Sequence, residues 1–509
     1  MTDRIARKLS SILVFVMSLG CPPHDSAPPK HQQSQAISTQ IDSNGPRNLP
    51  MSSSMYLEKH AIRSPEITAA HQAAQAYLLR GQIPWSELTP VPASFPPPQA
   101  ISLSEFIPTN HSPKSSLAVG KTPGFFVPIA YLPEQTSAFN QFYHAINELQ
   151  SQREKSSRKV RILMCGASGT AADITSGYLR TYFQHRFGNG GPGFIPLGRL
   201  SPWYHHSEVE VFQSKGWRKE HVQISSGRHD GYYGLLGASF ASSKNRDFVR
   251  IQSRRGSTSS KAISHYEIHF LYQPKGGNFL VRIDGKLPIT LATSSEHIKL
   301  GIHTINLQPG PHSLELRPQG NGEVRLFGVA IETDAAGIVV DTLGIDGSRI
   351  TNHTLWDESM WSDSIKQRNP ALITLAYGAN EAVDDSEEIP LSLYHQQLRQ
   401  VLTRLRRVAP QASCLLIGPG DFPEKIGGQL VPRARLLAII ELQREVAPDF
   451  GCGFWDGMVF MGGFGSIQTW TLLAPPLARQ DLLHFTSYGS TLKGMALSDA
   501  IMFDFDKKQ

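Results

Sequence analysis

The chain has 509 residues, too many for one ordinary hydrophobic core, so about two to four domains are expected. With 40% hydrophobic and 18% charged residues, 43 glycines and 35 prolines, its make-up is that of a folded globular protein. The net charge of +6 comes from 49 basic and 43 acidic residues with no long basic run, which argues against nucleic-acid binding.

At the N-terminus, Arg4, Arg7 and Lys8 precede an apolar run from Ile12 to Gly20 that ends at Cys21. A charged start, a short apolar stretch and a small residue at the cut are the layout of a secretory signal over 1–21. The run is too short to stay in a bilayer as a spanning helix, and nothing else in the chain reads as one. A cysteine at the cut predicts a bacterial lipoprotein, with the Cys21 thiol carrying the lipid and the chain anchored in the cell envelope, in the periplasm or at the outer membrane; plain secretion is the alternative. Residues 22–60 are rich in Pro, Ser, Gln and His and read as a flexible tether. Residues 61–133 form an extension with one helical pattern near 65–80 and a Pro-rich stretch at 90–99.

From 134 the pattern changes. "EQTSAFNQFYHAINELQSQ" sets Phe139, Phe142, Ile146 and Leu149 at helical spacing. The run Val160–Cys165 is short, apolar and bounded by glycine, which suits a buried strand of a parallel sheet. "AADITSGYLRTYFQHRF" then reads as one helix. Residues 205–335 instead hold short alternating strands, among them "YEIHFLYQ", "GNFLVRIDGK" and "GEVRLFGVAIE", with turns between them, the pattern of an antiparallel sandwich. Helix–strand alternation returns over 336–509, through "GIVVDTLG", "ALITLAYGANE", "ASCLLIGPG" and a last helix from about Ser490 to Ile501. An α/β fold over 134–204 and 336–509, interrupted by an all-β insert, is the predicted architecture. Tyr266 and Tyr272 in the insert, with Trp203, Tyr204 and Trp217 around its start, are either sugar-stacking aromatics or core. The four cysteines, Cys21, Cys165, Cys414 and Cys452, give neither a metal motif nor a disulfide framework. Cys165 and Cys414 read as buried small hydrophobes, and an oxidising compartment would allow a Cys414–Cys452 bridge that spacing alone does not establish.

Two fragments carry chemistry. In "MCGASGTAAD", Ser168 sits at a strand-to-helix turn with Gly166 and Gly169 around it, so its hydroxyl is exposed where open parallel sheets bind ligands. Backbone N–H groups of the same turn point at an anion beside it. The plain alternative is a turn with a helix cap. In "DLLHF", His484 is placed to take a proton from Ser168, and Asp481 to fix the imidazole tautomer; the alternative is a turn cap and a surface histidine.

Together the fragments resemble the SGNH/GDSL esterase family. Gly166-Ala167-Ser168 stands where that family has G-D-S, "GIDGS" offers Gly347, "YGANE" matches G-x-N through Gly378-Ala379-Asn380, and Asp481/His484 match D-x-x-H. The stretch "TAADITSGYLRTYFQHRFGNGGPGFIPLG" is similar to a bacterial subgroup that removes O-acetyl groups from peptidoglycan and carries a carbohydrate-binding-module-like sandwich between its first and second blocks. The resemblance implies a three-layer α/β/α flavodoxin-like fold with a jelly-roll-like insert. It also implies a Ser168–His484–Asp481 triad and an oxyanion hole from Ser168, Gly347 and Asn380. No metal or organic cofactor is called for, and the partner is O-acetylated peptidoglycan or a related envelope polysaccharide. Ala167 replaces the aspartate that usually precedes the serine, and Gly169 replaces a bulkier residue. Two further readings stay open: a glycan-binding envelope protein with a decayed site, and an acyltransferase with the same machinery.

Overall fold

The computed structural model describes residues 127–131, 137–152, 156–223, 227–473 and 475–507, with Ala69 and Gln72 before them. Cys21, the signal, the tether and nearly all of the 65–80 helical pattern lie outside the described residues. Among the described residues, no helix is long and apolar enough to cross a membrane.

The apolar run around Val160–Cys165 forms strand β1, Lys159–Gly166. It lies between two parallel neighbours, β2 (Gly337–Gly344) and β3 (Leu372–Ala376). A strand covered on both faces needs a continuous apolar run, which is what the sequence supplies. β4 (Ser413–Ile417) and β5 (Cys452–Trp455) complete a five-stranded parallel sheet in the order β2-β1-β3-β4-β5. This doubly wound order puts its topological switch beside β1, and ligands bind there at the carboxyl edge of the strands.

Helices cover both faces. Asn140–Ser151, Thr175–Phe187 and Ser487–Asp506 close one face through Ile146, Tyr178 and Met495, which pack with Ile162 and Val340 of the sheet. Glu358–Arg368, Leu391–Val408 and Ala434–Asp449 close the other through Ile365, Leu398 and Ile440. Expected strand 337–344 is reproduced residue for residue. The single helix expected over 171–187 is instead two, Ser168–Ala171 and Thr175–Phe187, because Asp173 takes a left-handed φ of 51° between them.

Between β1 and β2 the chain builds two antiparallel sheets, of six and five strands. Their pairing begins ahead of residue 205: Gly193–Ile195 pairs with Val324–Thr333. Three residues are too few to show alternation, and Gly191 and Gly193, both at positive φ, disguise the strand as a loop. The sandwich and the parallel sheet share one continuous core, and buried Arg368 bonds Asp341 of β2 while pairing with Glu332 of the sandwich. Tyr266 is 1% exposed and Trp217 5%, so both are core. Cys414 and Cys452 face each other across β4 and β5 and are disulfide-bonded, with Cα atoms 4.5 Å apart. Cys165 is buried and free.

Candidate active site

β1 ends at Gly166, and Ala167 caps the short helix that Ser168 opens. The turn has no room for a side chain at Gly166, since a Cβ there would lie 2.2 Å from Thr170 Oγ1. Thr170 and Ala171 N–H groups bond back to the Ala167 carbonyl, which leaves Ser168 at the tip with its N–H outside the helical ladder.

Ser168 Oγ lies 2.9 Å from His484 Nε2, and His484 Nδ1 lies 2.8 Å from Asp481 Oδ2. A carboxylate only accepts, so Nδ1 donates to Asp481 and Nε2 accepts from the serine hydroxyl. Asp481 also accepts through Oδ1 from the N–H groups of Leu483 and His484, at 3.0 and 2.9 Å. Burial alone would raise the Asp481 pKa, but these N–H groups and the imidazole outweigh it and hold the carboxyl below its usual range. Three side-chain and backbone bonds within four residues thus set the imidazole.

Asn380 comes from the turn after β3. Its Nδ2 donates to the Ser348 carbonyl at 2.9 Å, and Ser348 Oγ in turn bonds the Gly166 carbonyl. An amide nitrogen carries two protons, so the bond to Ser348 fixes the group and leaves one proton for the cavity. Glu381, fully buried, steadies this turn by accepting from the N–H groups of Gly378 and Ile350. Burial raises its pKa.

These groups surround a cavity of about 290 Å³ whose wall includes Ser168, Asn380, Asp481 and His484. Gly347 is not among its lining residues; it sits at φ 73° in the loop whose Ser348 carbonyl receives the Asn380 amide. Trp203 stands at the cavity, 58% exposed, with the Arg479 guanidinium 4.8 Å from its ring centre.

Three groups were not read from the sequence. Asp173 and Arg180 form an ion pair with no exposed surface, 2.8 Å apart, directly behind the serine helix. Asp173 also accepts from Thr342 of β2 at 2.6 Å and from the Ser207 N–H at 2.7 Å. Burial pushes its pKa up, but Arg180 and the hydrogen bonds prevail and hold it well below the usual range. An aspartate ahead of a helix beginning "ITSGYLR" was the available signal, and it points to a cap rather than to these partners. Lys493 lines the cavity from the last helix, and burial pulls its ammonium down to about 8. Asp421 lines it too, pushed up to about 6 by burial although it accepts from the Ile467 N–H.

No family model matches the chain, and no curated protein does. Solved structures do. A peptidoglycan O-acetylesterase is 22% identical, over 72% of this chain and 96% of its own, with a TM-score of 0.59. A family two carbohydrate esterase from Cellvibrio japonicus is 11% identical over 58% of this chain and 99% of its own, with a TM-score of 0.22. A lipase/acylhydrolase from Enterococcus faecalis is 16% identical over 32% and 74%, with a TM-score of 0.24. The first likeness shows the fold: an α/β domain built on a parallel sheet and interrupted by an inserted β region.

Proposed function

We propose that this chain is a serine esterase of the SGNH type that removes O-acetyl groups from a cell-envelope glycan, with peptidoglycan as the polymer. The observation that carries the reading is the unbroken line from Asp481 through His484 to Ser168 Oγ, at the edge of a cavity on the carboxyl side of the sheet. The solved peptidoglycan O-acetylesterase with the same fold supports the choice of polymer.

In this mechanism Ser168 Oγ attacks the acetyl carbonyl while His484 Nε2 takes its proton. Asp481, its carboxyl kept ionised, steadies the imidazolium. The free proton of the Asn380 amide and the Ser168 N–H meet the developing oxyanion, with the Gly347 N–H as the third donor the reading assigns. The sugar hydroxyl leaves with the proton from His484, and water, activated by the same ring, releases acetate from Ser168. Ser168→Ala should lower turnover on an aryl acetate and on O-acetylated peptidoglycan by about six orders of magnitude. A variant nearly as active as the parent would sink the mechanism.

The same proposal places the protein in the envelope, anchored through a lipid on Cys21. Its supports are the signal-like pattern ending at Cys21 and the Cys414–Cys452 disulfide, a bond that oxidising compartments favour. Fatty-acid labelling of the expressed chain, lost in Cys21→Ala, is the check.

A further inference from the structure

The cavity beside Ser168 does not end at the serine. Its inner wall is made of core residues: Met164 of β1, Ile417 of β4 and Leu497 of the last helix, which are 4%, 2% and 0% exposed. On the near side Gly169 leaves the space open, since a Cβ built there meets nothing within 4 Å. A sugar joined to polymer on both sides has no way into such an inner end. The acyl group of an ester is terminal and slim, and it is the part that enters.

Besides Asp421, Arg479 and Asp481, one further charge lines this cavity. Lys493 lies one turn before Leu497 on the same helix face, with its Nζ 6.0 Å from the rings of both Trp455 and Phe485. The two carboxylates of the cavity are engaged elsewhere, Asp481 by His484 and Asp421 by the Ile467 N–H. Among the described residues no acid pairs with Lys493, and burial lowers its pKa. A methionine would fill the same space without the desolvation penalty of an ammonium, so the charge calls for an anion that arrives with the ligand.

We propose that the inner end of the cavity is an acyl pocket that takes, besides acetyl, a longer acyl group ending in a carboxylate, which meets the Lys493 ammonium. The substrate class is the half-ester of a short dicarboxylic acid on a sugar hydroxyl. This rests on the esterase reading and extends its acyl side. The chemistry is that of the acetyl ester: the Ser168 Oγ–acyl bond forms as the sugar C–O–acyl bond breaks at the acyl carbon, and the sugar oxygen takes the proton from His484. Water then adds to the acyl carbon, Ser168 regains its proton, and the dicarboxylate leaves.

The test compares kcat/KM on the 4-nitrophenyl esters of acetate, butyrate and succinate (the hemisuccinate). Hemisuccinate should exceed butyrate at least tenfold. Lys493→Met should remove that preference, mainly through KM, and Lys493→Arg should keep part of it. Hemisuccinate no better than butyrate, or a Lys493→Met loss equal on all three esters, would overturn the proposal. Calorimetry on Ser168→Ala reads the pocket without catalysis: succinate should bind more tightly than acetate, and the difference should vanish in Ser168→Ala/Lys493→Met. Succinate binding by a protein that cleaves no ester upholds the pocket and defeats the esterase reading. Ester cleavage without succinate binding does the reverse.

Discussion

The two sides of the candidate triad are held in opposite ways. The serine turn is locked from behind by Asp173 and Arg180, which have no exposed surface and reach β2 through Thr342 and the entry to the sandwich through Ser207. The histidine loop is 39% exposed at His484 and 47% at Asp481, and Asp481 itself makes its hydrogen bonds to Leu483 and His484, two and three residues on. What encloses that loop is light: an Ala478–Phe485 bridge, an Arg479 N–H to His484 carbonyl bond, and Thr486 capping the last helix. The serine is therefore positioned by the whole fold and the imidazole by its own neighbours. One follows from buried charge, the other from local backbone geometry.

The comparison breaks most visibly at Asp481. Asp481→Asn keeps the side chain's shape and its half-exposed setting, so thermal stability should hardly move. The amide leaves the imidazole in the wrong tautomer, and turnover on an aryl acetate should fall by about 10⁴. A melting temperature that drops along with activity would mean that the loop is structural after all, and that the contrast with the serine side is false.

Asp173→Ala should show the reverse. It removes the counter-charge of the buried Arg180 guanidinium, which typically costs about 3–5 kcal/mol, measured by denaturant unfolding. Because the folded carboxyl titrates far below its ordinary value of 3.8, its contribution is full above that pH and is lost as the pH falls below it. The parent should thus lose stability on acidification more steeply than Asp173→Asn does. Parallel pH curves for the two proteins would remove Asp173 as the anchor of the serine turn.

This contrast also explains what the sequence made legible. Asp481 and His484 are three positions apart and bonded to each other, so the motif in the sequence is the geometry in the fold. β1 and β2 were readable for a similar reason: a strand buried on both faces writes its burial as an unbroken apolar run. Asp173 was not readable, since its partners Thr342 and Ser207 lie 169 and 34 residues away. Its role is created by the insert and by β2 folding back, and no local pattern records that. Lys493 was hidden likewise: on a helix with apolar residues on nearly every side, a single lysine reads as a surface position until the cavity is seen. Ala167 is the instructive departure. The aspartate usual at that position is absent, yet the turn still has a buried carboxylate behind it, supplied from Asp173.

The smallest expected effect sharpens the comparison within the serine turn. Gly166 and Gly169 flank the same serine. At Gly166 an added methyl would meet Thr170 Oγ1 at 2.2 Å and the Ala376 carbonyl at 3.1 Å, so Gly166→Ala must displace the strand end or the helix. At Gly169 the methyl meets nothing within 4 Å, the backbone is already helical, and the φ is not in the left-handed region. Alanine there removes freedom from the unfolded chain and should stabilise by about 0.4–1 kcal/mol. Thermal unfolding should therefore move in opposite directions for two substitutions three residues apart. If both destabilise, the space beside Gly169 is needed by the turn's own motion, and the glycine serves the folded serine side as strictly as Gly166 does. If Gly169→Ala stabilises as expected, the glycine is free of the fold's demands, and its lack of a side chain belongs to the cavity it borders.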